Sequence, residues 1–195
     1  MTLCIWVDCD DVLAETMQQA IKLSPFKEKW TKLSDIKSLS SPKILEELET
    51  SPNELFKLFY SFFESEDYWL TQPVSGAYEK LYERKKQWHK LFVVTWRAKP
   101  FEKETKEWIE NHYPNIFTDY LFMNQHTENE IPKSQLCKEK WIQLLIDDIE
   151  TNIFDINSVW IPWFLLDKPR NQWVEDSNLL KRVYSRDEIN LNTFF

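Results

Sequence analysis

The chain has 195 residues, 43% hydrophobic and 29% charged, which fits one folded α/β domain with a modest insertion and excludes a disordered chain. Its net charge of −8 argues against a binder of duplex nucleic acid, which presents a basic face. One glycine beside ten tryptophans excludes the glycine-rich phosphate loops of Walker and dinucleotide-binding folds, so any phosphate site must use strand ends, helix N-termini, hydroxyls and lysines.

Leu3–Val7 is a continuously apolar run, the pattern of a strand buried on both faces of a parallel sheet. No basic leader precedes it. The longest apolar stretch, Val159–Leu166, is too short to cross a bilayer and contains Pro162. Cys4, Cys9 and Cys137 form no C-x-x-C pair, and His89, His112 and His126 are too dispersed for a zinc motif. These features predict a soluble, cytoplasmic protein with reduced thiols.

Residues 16–88 interrupt the strand pattern with helix starts at Ser24-Pro25, Ser41-Pro42 and Ser51-Pro52-Asn53-Glu54, the last a capping box with proline at the first helical position. Leu55, Phe56, Phe59, Phe62 and Phe63 follow at helical spacing. The region reads as a small helical cap inserted after the first strand, leaving 1–15 and 89–195 as the core. The basic run from Arg84 to Lys90 reads as a solvated helix end.

Beyond it come a strand at Leu91–Thr95, a helix over Phe101–Tyr113 stopped by Pro114, and a strand at Tyr120–Met123. A helix over Ser134–Lys140 and strands at Leu144–Ile146 and Val159–Leu166 follow, and the polar tail from about 170 has room for a last helix and strand. Strands alternating with helices predict a doubly wound, mostly parallel α/β sheet.

Four places carry chemistry. Ile5-Trp6-Val7-Asp8-Cys9-Asp10-Asp11 ends an apolar strand in carboxylates two residues apart, where open α/β sheets place their active sites. One carboxylate can attack phosphorus while a second protonates the leaving group. An N-cap after a strand is the plainer alternative. Phe92-Val93-Val94-Thr95-Trp96-Arg97 ends a strand in a hydroxyl followed by backbone N–H groups, which suit phosphate oxygens. Ile146-Asp147-Asp148 closes another apolar strand with two acids, although Asp148 could instead cap a helix. Burying these acids beside Asp8 is prohibitive without a cation, and a divalent metal such as Mg²⁺ resolves the cost. Lys133 opens a helix and can neutralise nucleophile and phosphate, with Lys138 and Lys140 as competitors.

The order Asp-x-Asp, Thr, Lys, Asp-Asp resembles the haloacid dehalogenase-like phosphatase superfamily. That resemblance implies Asp8 as nucleophile, Asp10 as general acid/base and metal ligand through its backbone carbonyl, and Thr95, Trp96 and Lys133 as phosphate binders. Asp8, Asp10, Asp147 and Asp148 would form the Mg²⁺ site, with at least one of the last two a direct ligand. Dehalogenase branches lack the second acid, since a halide needs no protonation, so Asp10 points to phosphoryl chemistry.

A closer resemblance is to the 5′(3′)-deoxyribonucleotidase family and its bacterial relatives. It rests on Asp8 to Leu13, on Tyr68 to Ala77 with the only glycine at Gly76, on Lys133 with Leu144 to Asp148, and on Phe164 to Asn171. Asp11 stands where that family has glycine and Trp96 where a small residue is usual. The resemblance implies a Mg²⁺-dependent 5′-nucleotidase acting on (deoxy)ribonucleoside monophosphates, with Phe62 or Phe63 stacking on the base. Helical spacing alone makes both rings cap core instead. Alternatives are a phosphatase or phosphotransferase for another small phosphorylated metabolite, and a non-catalytic metal-binding module. The many tryptophans leave room for a homodimer.

Overall fold

The apolar runs become six strands: β1 (Cys4–Asp8), β2 (Lys90–Thr95), β3 (Asp119–Phe122), β4 (Leu144–Asp147), β5 (Trp163–Leu166) and β6 (Leu180–Val183). The computed structural model describes residues 2–22, 51–125, 127–149, 156, 158–168 and 171–195. The helix starts expected at Ser24-Pro25 and Ser41-Pro42 lie outside the described residues.

The strands form one sheet in the order β3-β2-β1-β4-β5-β6, and every neighbouring pair is parallel. This is the doubly wound α/β arrangement that the alternation of strands and helices implies. Both faces are covered. Ile5 and Val7 enter one buried cluster with Trp108 and Ile109, while Trp6 enters another with Leu136 and Ile142. That two-sided burial explains why the strand sequences are continuously apolar.

The described helices are α1 (Thr16–Lys22), α2 (Pro52–Phe63), α3 (Ala77–Lys86), α4 (Glu102–His112) and α5 (Lys133–Glu139). The capping box at α2 forms as its sequence dictates: Ser51 Oγ accepts from the Glu54 N–H, and Glu54 Oε2 accepts from the Ser51 N–H at 2.9 Å.

Two boundaries differ from the sequence reading. The run Val159–Leu166 yields strand only from Trp163, because Trp160 turns the chain at φ 57° and Pro162 has no N–H for a ladder. The insertion also rejoins the core before residue 88. Val74 N–H donates to the Leu13 carbonyl and Glu15 N–H to the Gln72 carbonyl, so the outgoing and returning chains pair at its base. Ala77 and Leu81 of α3 are buried in the cluster of Ile5 and Val7. α3 is therefore the crossover helix that the parallel β1–β2 connection requires, and belongs to the sheet.

Among the described residues no helix is long and apolar enough to cross a membrane.

Candidate active site

Sheet order reverses direction between β1 and β4, and the C-terminal ends of those strands are where open α/β sheets bind ligands. Asp8 ends β1, Asp147 ends β4 and Thr95 ends β2; Lys133 opens α5 beside them. Asp8, Asp10, Thr95, Lys133, Asp147 and Asp148 are all buried.

Asp8, Asp147 and Asp148 each offer a carboxylate oxygen, and these oxygens lie within 4.8 Å of one another. Burial, and then the nearby Asp147 carboxylate, hold the Asp8 pKa well above the usual carboxylate range, with Lys133 pulling the other way. Oxygen-only donors so close together fit a hard divalent cation such as Mg²⁺. Lys133 Nζ forms an ion pair with Asp147 Oδ2 and lies 3.8 Å from Asp8 Oδ1. Burial disfavours its ammonium, but Asp147 and Asp8 outweigh that and raise its pKa.

The second oxygen of Asp147 is also engaged: Oδ1 accepts from the N–H groups of Asp148 and Ile149 at 2.8 and 2.9 Å. Asn171 fixes the neighbouring turn. Its Nδ2 donates to the carbonyls of Asp148 at 3.0 Å and Leu166 at 2.8 Å, and its Oδ1 accepts from the Lys168 N–H and Arg182 Nη1.

Asp10 lies two residues beyond Asp8, and its N–H donates to Asp8 Oδ2 at 3.1 Å. Asp11 adopts φ 57°, the left-handed conformation that suits a glycine and that aspartate tolerates better than most residues. Asp10 is held by groups that sequence reasoning did not select. Thr16 Oγ1 donates to its Oδ1 at 2.6 Å, Arg97 Nη2 to Oδ1 at 2.6 Å, and Arg97 Nε to Oδ2 at 3.3 Å. Arg97 follows Thr95 by two residues, and its N–H donates to Thr95 Oγ1 at 3.3 Å. The only sequence signal was an arginine just past an apolar strand.

The aromatic residues expected near a base are placed differently. Phe62 and Phe63 are buried, 1% and 4% exposed. Phe62 packs edge-on against Tyr68; Phe63 packs against Trp96 and Phe101 and lies under the Arg97 guanidinium at 4.3 Å. Their hydrophobic spacing is satisfied by the junction between insertion and core, which corrects the stacking expectation for both. The Trp96 ring joins the same cluster through Phe59 and Phe63.

Solved structures of haloacid dehalogenase-like hydrolases share this doubly wound fold. A haloacid dehalogenase-like hydrolase from Streptococcus pneumoniae superposes with TM-score 0.66 at 13% identity, covering 100% of this chain and 99% of its own. A haloacid dehalogenase-superfamily hydrolase from Geobacter sulfurreducens gives 0.60 at 15% identity, covering 100% and 97%. The family model described as "5' nucleotidase, deoxy (Pyrimidine), cytosolic type C protein" matches residues 2–191, and the chain belongs to that family. It is also 27% identical over 173 residues to a Bacillus cereus protein named "Putative nucleotidase", covering 88% of this chain and 85% of the relative.

Proposed function

We propose that the chain is a Mg²⁺-dependent phosphomonoesterase acting on nucleoside monophosphates through an aspartyl-phosphate on Asp8. The observation that carries this reading is the meeting of buried Asp8, Asp147 and Asp148 around one point beside Lys133, with Asp10 hydrogen-bonded to Asp8. Family membership and the relative named a nucleotidase support the substrate class.

In this reading an Asp8 carboxylate oxygen attacks phosphorus and the bond to the ester oxygen breaks. Asp10 gives its proton to the leaving alkoxide. Asp10 then takes a proton from a water, whose oxygen attacks the same phosphorus and breaks the phosphorus–Asp8 bond, releasing inorganic phosphate. The Thr95 hydroxyl and Lys133 ammonium bind the phosphate oxygens. The cation would be held by Asp8, the Asp10 backbone carbonyl and Asp148, and it supplies charge neutralisation between carboxylate and phosphate. Asp148 takes the direct role because both oxygens of Asp147 are already occupied by Lys133 and two backbone N–H groups. Three free thiols fit a reducing cytoplasm.

The test is phosphate release from deoxyribo- and ribonucleoside monophosphates beside sugar phosphates, with Mg²⁺ and with chelator, on the wild type and Asp8→Asn. Nucleotide hydrolysis that needs both the metal and Asp8 is the expected result. Turnover that survives either removal would sink the mechanism, and a preference for sugar phosphates would move the substrate class.

A further inference from the structure

Arg97 is a charged side chain with no exposed surface, placed between the acid/base position and the insertion. Its two-pronged contact with the Asp10 carboxylate leaves Nη1, which donates to Tyr68 Oη at 2.8 Å and to Thr105 Oγ1 at 3.0 Å. Phe63 and Tyr68 rings lie against its guanidinium at 4.3 and 5.1 Å. Burying a guanidinium is expensive unless its donors are paired and its faces stacked, and here both conditions are met. Thr16, the other donor to Asp10, begins the outgoing side of the insertion, and Tyr68 lies on its returning side.

From this geometry we propose that Arg97 is the positioning residue for Asp10, tying the acid/base carboxylate to both roots of the insertion. Resting on the role given above to Asp10, the proposal predicts a loss that depends on the leaving group. A nucleoside alkoxide must be protonated as it departs, whereas p-nitrophenolate leaves without a proton. Arg97→Met is expected to lower kcat/KM, which reports the transfer to Asp8 and not the hydrolysis step shared by both esters, by about 100-fold on a nucleoside monophosphate and by less than about 10-fold on p-nitrophenyl phosphate. Asp10→Asn should show the same asymmetry. Arg97→Lys keeps the charge but cannot grip two oxygens, so it should show a smaller loss of the same kind, and it decides the matter if Arg97→Met does not fold. Equal losses of kcat/KM on both esters in a folded variant would overturn the proposal while leaving the phosphatase reading intact. A wild type that turns over neither ester would remove that reading and the role of Arg97 with it.

A second inference comes from the backbone. Trp88, Trp141 and Trp160 have φ of 68°, 55° and 57°, a region that bulky side chains rarely enter, and are 83%, 81% and 79% exposed. The first two sit at the left-handed position after a helix in complete Schellman motifs. Trp88 N–H bonds the Lys85 carbonyl and His89 N–H that of Arg84; Trp141 N–H bonds the Lys138 carbonyl and Ile142 N–H that of Cys137. Glycine is the usual residue there. Buried Trp6 and Trp163 carry indole N–H groups with no hydrogen-bond partner among the described residues, whereas Trp108 Nε1 donates to the Thr71 carbonyl at 3.1 Å. Average usage of about 7% would give about 14 glycines in a chain of this length; this one has one glycine and ten tryptophans.

We infer that positions 88, 141 and 160 are glycine in the protein as its own cells make it, encoded by UGA, a codon read as tryptophan in some genetic codes and as glycine in others. The gene should then carry UGA at these three positions and UGG at 108. Peptide sequencing of the protein isolated from its own cells should give glycine at 88, 141 and 160 and tryptophan at 108. Tryptophan found at 88, 141 and 160, or UGG codons there, would overturn the inference.

Discussion

Asp147 grips Lys133 through one carboxylate oxygen and the N–H groups of Asp148 and Ile149 through the other. The two adjacent acids that end β4 are therefore not equivalent, and the difference can be measured.

Asp148→Asn is expected to abolish Mg²⁺ binding measured by calorimetry. Asp147→Asn should weaken it by about 10–100-fold, as loss of a residue that orients the site does. Binding retained in Asp148→Asn and lost in Asp147→Asn would reverse the assignment.

Asp8→Asn should lower kcat by about 10⁴-fold or more, because the proposed mechanism runs through a covalent intermediate on Asp8. The same substitution should stabilise the metal-free protein at neutral pH. Burial and Asp147 raise the Asp8 pKa above its unfolded value, so the folded state binds the extra proton in the window between them. Stability then falls as pH rises through that window and is regained as pH falls toward the ordinary carboxylate value. Melting curves in chelator should show Asp8→Asn above the wild type at pH 7, by about 2–4 °C per kcal/mol relieved, with the gap closing on acidification. A gap that widens toward low pH would contradict this account.

Asn171→Ala removes two donated and two accepted hydrogen bonds at the turn behind Asp148. A destabilisation of about 1–3 kcal/mol is expected from chemical denaturation, with a lower apparent affinity for Mg²⁺. Unchanged stability would show that water replaces the amide.

Ser51→Ala tests the insertion separately from the site. Loss of the Ser51 side-chain acceptor at the α2 N-terminus should cost about 1 kcal/mol, while the intrinsic affinity for Mg²⁺ stays unchanged. A change in metal affinity would show that α2 is coupled to the carboxylates.

Strand ends made most of the site legible in the sequence. Asp8, Thr95 and Asp147 each close an apolar run, and a parallel sheet carries all such ends to one edge. The capping box at Ser51 was readable for a similar local reason: its neighbours fix the backbone. Arg97 was not, since its partners Asp10, Tyr68 and Thr105 come from three separate segments. The aromatic spacing of Phe62 and Phe63 was visible, yet whether those rings faced a ligand or the core depended on what packed across from them.

By itself the sequence determined the alternation of strands and helices, the parallel sheet and the acids at its edge, because hydrophobic period and backbone preference act over a few neighbouring residues. Only the tertiary structure decided which acid of the Asp147–Asp148 pair holds the lysine, where the insertion rejoins the sheet, and that a buried arginine clamps Asp10. Those outcomes depend on charges and donors far apart in the chain, whose burial leaves each only the partners that folding brings within hydrogen-bond reach.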